Sequence, residues 1–269
     1  MTVFRAPPLM AGVSGSTAYQ ILAPDHGPVA EVINPDGEAS LCLVCEHASA
    51  VIPASLGTLG LAPEHRQSHA VWDIGAEALA RELSSRLDAP LVIATVSRLV
   101  YDLNRPPEAR DAMPWQSGEI PVPGNRDLSE AEKTARTTQV YEPFHATLSD
   151  VLDGFETRPV LVTIHSFAPV WHGTPRRTQL GLLHDADASL AEAMLSAADD
   201  TFVTHLNEPY SASDGVTHTL ARHATARGLT NVMIEVRNDL LGEGSDVARI
   251  AAYLTNLLNS ALAPKAATA

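Results

Sequence analysis

The chain has 269 residues, 45% of them hydrophobic and 19% charged, which suits one large domain or two small ones and excludes both a small stapled scaffold and a disordered chain. Lys and Arg number 18 against 32 Asp and Glu, a formal net charge of −14, and that field repels polyanions and anionic bilayers. Nucleic acid and membrane surfaces are poor partners on this ground, and a small-molecule substrate is expected; the oligomeric state stays open.

From the amino end, MTVFRAPPLM is broken by Pro7 and Pro8 before a signal-like apolar core develops, and no apolar run approaches the length of a membrane span. The chain therefore reads as soluble and cytoplasmic. Residues 1–38 are rich in Pro, Gly and Ala and lack periodicity, so they are expected to form a surface arm. Residues 39–263 read as a single α/β domain, and residues 264–269 as a frayed tail. Short apolar runs predict strands near 41–45, 91–96, 160–165, 180–183 and 231–236. Helical spacing predicts helices near 74–87, 129–153, 189–199, 216–227 and 246–262. In the first helix Leu79, Leu83 and Leu87 form one stripe while Arg81, Glu82 and Arg86 occupy other faces. Between the second strand and the second helix, residues 104–127 are punctuated by Pro and Gly, a long irregular loop of the kind that is often functional.

The two cysteines, Cys42 and Cys45, lie in the first strand, LCLVC. A redox C-x-x-C needs a turn opening a helix, whereas strand positions i and i+3 face opposite sides, so buried structural thiols are expected. No second C-x-x-C is present to complete a four-sulfur zinc site.

Open α/β sheets place their sites at the carboxyl ends of strands. Here LCLVC runs into Glu46-His47, LVIATV into Ser97-Arg98 and then Asp102-Leu103-Asn104-Arg105, PVLVTI into His165-Ser166, and NVMI into Glu235. Histidines, carboxylates and arginines on one edge are what a divalent metal and an anionic substrate require. A catalytic zinc takes three protein ligands and leaves a position open, and His47 and His165 suit two of those places. The plain alternative for each is a histidine bonded to a carbonyl. For the third ligand Asp73, Glu46 and Asp102 are candidates; Asp73 could instead cap the first helix, and Glu46, facing away from His47, suits a partner behind a ligand better. Arg98 and Arg105 offer planar forks for a carboxylate or an oxyanion, with Asn104 adding neutral donors. Glu235 suits a general base, or alternatively a partner for Arg237. The segment Asn207–Gly215 reads equally as a pocket wall or a solvated loop. Elbow, P-loop and dinucleotide motifs are absent, which lowers serine hydrolase, nucleotidase and dehydrogenase readings.

The segments CEHASAVIP at 45–53, WDIGAEALA at 72–80, SRLVYDLNRPP at 97–107, IPVPGN at 120–125, YEPFH at 141–145, IHSFAPVWHG at 164–173, NEPYS at 207–211 and IEVRNDL at 234–240 together resemble the N-formylglutamate amidohydrolase family, metal-dependent deformylases of histidine degradation. That family is similar to zinc carboxypeptidases and to succinylglutamate desuccinylase and aspartoacylase. The resemblance implies a mixed, mostly parallel sheet flanked by helices, of the zinc-carboxypeptidase-like (phosphorylase/hydrolase-like) class. It further implies one divalent metal, zinc (Zn2+), on His47 and His165, Glu235 as general base, Arg98 polarising the scissile carbonyl, and Asn104 and Arg105 holding the substrate carboxylate. His47 is followed three residues later by Ala50 where the carboxypeptidase-like pattern has Glu, and Asp73 is the best replacement as third ligand. The expected reaction is hydrolysis of N-formyl-L-glutamate, a small anionic N-acyl amino acid, to L-glutamate and formate. The rival readings are a zinc hydrolase of another N-acyl amino acid or small peptide, and a non-catalytic protein that binds a small carboxylate.

Overall fold

The computed structural model describes residues 19–263, so the whole of the expected C-terminal tail and the first part of the expected arm lie outside the described residues. Seven strands form the main sheet: β1 (Ala30–Ile33), β2 (Leu41–Cys45), β3 (Leu91–Ala94), β4 (Val160–Phe167), β5 (Leu180–Leu183), β6 (Thr204–Leu206) and β7 (Asn231–Arg237). Their spatial order is β1-β3-β2-β4-β7-β5-β6. The central β3, β2, β4 and β7 run parallel, whereas β1 opposes β3 and the β5-β6 pair opposes β7. The sheet is thus mixed, and its parallel centre is buried on both faces, which is why β2 and β3 read as unbroken apolar runs rather than alternating ones.

Among the described residues five α-helices accompany the sheet: α1 (Ala76–Leu87), α2 (Glu130–Arg136), α3 (Glu142–Asp153), α4 (Ser189–Ala197) and α5 (Gly244–Leu262). Leu79 and Leu83 of α1 are fully buried, in one core with α4, α5 and the inward residues Leu43, Cys45, Val162 and Ile234. The opposite face packs Cys42, Val44, Leu161 and Met233 against Phe144, Leu148 and Leu152 of α3. Cys42 and Cys45 therefore fall in different cores, both as free thiols; burial pushes Cys42 up to about 12 and Cys45 well above its ordinary value.

Four stretches differ from the sequence expectation. Residues 30–33, inside the expected surface arm, add an edge strand to β3; a four-residue AEVI is too short to show periodicity. Strand β6, of three residues, is likewise too short to show a pattern. The helix expected over 216–227 is a π-turn at Leu220–Ala224 followed by a 3₁₀ turn at Thr225–Arg227. The second predicted helix is also interrupted, by a π-turn at Thr137–Tyr141 between α2 and α3. In the 104–127 loop a two-residue hairpin pairs 116–117 with 120–121, and buried Asn125 pins the loop by donating to the Leu99 and Pro114 carbonyls at 2.8 and 2.9 Å. Among the described residues no helix is long and apolar enough to cross a membrane.

Candidate metal centre and active site

Strand register begins the site. Glu235 of β7 and His165 of β4 are direct partners on adjacent parallel strands, so their side chains leave the same face side by side. His47 follows the end of β2, on the other side of β4. Asp73 is drawn in by its backbone, whose N–H donates to the His47 carbonyl at 2.9 Å. It does not cap α1, where Gly75 holds the N-cap position without a side-chain bond.

Three atoms face one another at the centre. Nδ1 of His47 and Nδ1 of His165 are 3.2 Å apart, and Oδ2 of Asp73 lies 3.3 Å from the first and 3.0 Å from the second. Metal–ligand bonds of about 2.0–2.1 Å in a tetrahedron give ligand–ligand edges of roughly 3.3–3.4 Å, so the cradle is within a few tenths of an ångström of the size that holds one ion. The far nitrogens are engaged from behind. Nε2 of His47 donates to Oδ1 of Asp102 at 2.7 Å, and Nε2 of His165 lies 3.2 Å from Oε2 of Glu46. The Asp102 bond fixes the tautomer that leaves Nδ1 of His47 with its lone pair, as in carboxylate–histidine–metal sites, whereas Glu46 stands behind His165 at ion-pair distance without a hydrogen bond to it. Of the candidates for third ligand, Asp73 is thus in the cradle, while Glu46 and Asp102 stand behind the histidines.

Charge points the same way. Glu46, Asp73, Asp102 and Glu235 are all buried, and buried carboxylates need compensation. Burial alone would raise Asp73 and Asp102, yet the neighbouring imidazoles and the Arg98 guanidinium outweigh it and hold both well below the usual carboxylate range. Burial pulls His165 down, but Glu46 and Asp73 overcome this and hold it well above its ordinary value. A field that favours a proton on that ring favours a metal cation beside it, since both are positive charges at one place.

Arg98 spans the cradle's outer wall. Nη1 donates to Oδ1 of Asp73 at 3.0 Å and Nη2 to Oδ2 of Asp102 at 2.8 Å. Arg105 donates from Nε to the exposed Asp111 at 2.7 Å and from Nη1 to the Asn104 carbonyl. Both arginines line the cavity in front of the cradle with His47, Asp73, His165 and Glu235. Glu235 is not the partner of Arg237, which pairs with Asp239 at 2.8 Å. Burial pushes the Glu235 carboxyl up to about 7, and its Oε2 has no hydrogen-bond partner.

Asn104 lines the cavity but does not offer its amide to a ligand in the way expected from sequence. Its Nδ2 donates to the Val216 carbonyl, and its Oδ1 accepts from the Thr219 N–H at 2.9 Å. The side chain is a tie between the Asp102–Arg105 turn and the segment at 216–219. His69, Ser166, Tyr210 and Val216 also line the cavity; His69 has no signal in the sequence, and Tyr210 belongs to the segment that read equally as wall or loop. The Asn207–Gly215 segment is accordingly a pocket wall: the chain turns back at Asn207 in the left-handed region (φ 50) and delivers Tyr210 to the cavity.

The N-formylglutamate amidohydrolase family matches residues 39–241. Among solved structures, a gene product of Agrobacterium tumefaciens is 47% identical over 90% of this chain and 98% of its own, with a TM-score of 0.88. The N-formylglutamate amidohydrolase of Ralstonia eutropha JMP134 is 22% identical over 86% of this chain and 96% of its own, with a TM-score of 0.65, a likeness of fold. None of the curated proteins matches. With the family match running from the start of β2 through the end of β7 and so enclosing every residue of the cradle, the chain belongs to the N-formylglutamate amidohydrolase family.

Proposed function

We propose that this protein is a zinc-dependent amidohydrolase that converts N-formyl-L-glutamate and water to L-glutamate and formate. The observation that carries the reading is the cradle of two imidazole nitrogens and one carboxylate oxygen opening on a cavity that also holds an unpartnered, buried glutamate. Two nitrogens and one oxygen suit zinc, and the remaining position stays open. Zinc on His47, Asp73 and His165 would supply Lewis acidity to the formyl carbonyl and to a water.

The protein groups carry the rest. Glu235 takes a proton from the attacking water, and the oxygen bonds to the formyl carbon; when the carbon–nitrogen bond breaks, the same carboxyl returns that proton to the leaving nitrogen. A carboxyl pushed up to about 7 by burial is suited to both transfers near neutrality. Arg98 keeps N–H donors beyond the two that hold Asp73 and Asp102, and it faces the developing oxyanion. Arg105 receives a substrate carboxylate in exchange for Asp111, an exposed partner that gives way to water at little cost. Asn104 acts by holding Arg105's turn in place.

The test is elemental analysis of the purified protein together with formate release from N-formyl-L-glutamate, before and after chelation and zinc restoration. Near-stoichiometric zinc and chelator-sensitive formate release are expected. Zinc without formate would move the substrate to another N-acyl amino acid or peptide. Failure to take up zinc under replete conditions would favour a carboxylate-binding protein without turnover.

A further inference from the structure

Two arginines line the catalytic cavity, and both are paired with carboxylates: Arg98 with Asp73 and Asp102, Arg105 with Asp111. Behind Tyr210, a third arginine, Arg176, follows a short hairpin pairing 170–171 with 174–175 and lines a second cavity with Trp171 and Glu208. Its guanidinium carbon lies 5.4, 5.1 and 4.9 Å from the ring centres of Phe167, Trp171 and Tyr210. Nη1 is pinned, donating to the Tyr210 hydroxyl at 3.2 Å and the Ala168 carbonyl at 3.3 Å. Nε and Nη2 make no hydrogen bond, and no carboxylate lies within ion-pair distance, among the described residues. The unused edge is the planar fork that takes a carboxylate with two parallel bonds. The aromatic walls hold the fork without satisfying it, since a ring face attracts the cation but accepts no in-plane hydrogen bond.

Tyr210, which pins Arg176, itself lines the catalytic cavity, so it forms the partition between the cavity and the guanidinium. A dianionic substrate has two carboxylates to place, and Arg105 accounts for one. We infer that Arg176 receives the second, side-chain carboxylate of the substrate and sets the preference for an acidic over a neutral amino acid. The inference rests on the amidohydrolase reading above and adds to it the residue that decides the side-chain charge.

The test uses the zinc-replete full chain and two isosteric pairs: N-formyl-L-glutamate against N-formyl-L-glutamine for formate release, and L-glutamate against L-glutamine for calorimetric binding. Losing a charge-assisted fork costs on the order of 100-fold. Arg176→Gln is expected to lose about that factor in kcat/KM on N-formylglutamate while N-formylglutamine stays within about threefold, with Arg176→Lys between the two. Equal losses on both substrates would mean a merely structural role and overturn the assignment. Should the variants fold poorly, the wild type still decides: it must bind L-glutamate more tightly than L-glutamine, and equal affinity overturns the inference. Absence of formate from either substrate with the wild type, alongside selective binding of L-glutamate that Arg176→Gln abolishes, would remove the proposed reaction and leave the role of Arg176 standing.

Discussion

Asp102 grips His47 from behind: its Oδ1 is 2.7 Å from Nε2 of the ring, while its Oδ2 accepts from Arg98 at 2.8 Å. One carboxylate thus orients a cradle imidazole and anchors the guanidinium that also holds Asp73. Asp102→Asn keeps the shape but weakens both contacts. Because a partner behind a metal-bound histidine typically contributes about 10–100-fold in affinity, zinc binding by the variant should fall by that factor in a chelator competition. Asp73→Ala, which removes a cradle atom, should fail to retain zinc at all. Unchanged zinc affinity in Asp102→Asn would show that His47 needs no such support.

Glu235 touches none of the three cradle atoms at hydrogen-bond distance, and its Oε2 is unpartnered. Glu235→Gln should therefore keep its zinc by elemental analysis while losing about 10²–10⁴-fold in kcat, the usual contribution of a general base. Full turnover in this variant would sink the assignment of Glu235 as the base.

Why some of this site was legible in the sequence follows from where each residue sits. His47, His165 and Glu235 end apolar runs of a parallel sheet, and strand ends of such sheets converge on one edge wherever the strands are neighbours; β2, β4 and β7 are neighbours. Arg98 and Arg105 follow β3 closely enough to share the edge, while Asp73, just ahead of α1, reaches back to it through its backbone bond to the His47 carbonyl. The division of labour among the carboxylates was not legible, because it depends on which oxygen meets which nitrogen: Glu46 was expected behind a ligand, but Asp102 remained a candidate for the cradle itself. Asn104 was expected to hold a substrate carboxylate with Arg105 because it offers neutral donors and the resemblance places both there, and only the positions of Val216 and Thr219 reveal that its amide is spoken for. Tyr210 and Arg176 come from a turn-back and a hairpin whose paths no local pattern fixes.

A buried histidine pair beneath the site makes stability depend on pH. His145 Nε2 lies 3.1 Å from the Leu103 carbonyl, and its Nδ1 lies 2.8 Å from Nε2 of His223, an arrangement that suits two neutral rings. Burial first, then the nearby Arg222 guanidinium and neighbouring imidazoles, push His145 down to about 2 and His223 down to about 4. Unfolded imidazoles bind protons near pH 6.5. The contribution of each ring is therefore whole above about pH 6.5 and is lost as the pH falls, at about 1.4 kcal/mol per pH unit, until His223 itself protonates near pH 4. His145→Gln keeps a donor for Leu103 and an acceptor for His223 but no longer titrates. Urea unfolding at pH 7 and pH 5 should show a loss between the two that is smaller in the variant by about 2 kcal/mol. The same loss in both proteins would show that His145 stays unperturbed.

Gly181 gives the Tyr210 wall its path. It is the register partner of Glu235 on β5, and a Cβ built there would come 2.0 Å from the Glu208 carbonyl oxygen. That segment has little room to give: Thr178 donates to the Glu208 carboxylate at 2.7 Å, and the Asn207 side chain accepts from the His184 N–H at 3.0 Å. Gly181→Ala should then cost about 1–3 kcal/mol, as overpacking typically does, and lower formate release because Tyr210 is lifted from the cavity. Gly244→Ala, where a Cβ meets nothing within 4 Å, serves as the matched control and should leave both unchanged. Melting temperature and kcat/KM measured on the two variants separate the cases: if Gly181→Ala behaves like Gly244→Ala in both, the 207–210 segment yields freely and its close passage over β5 does not hold Tyr210 in place.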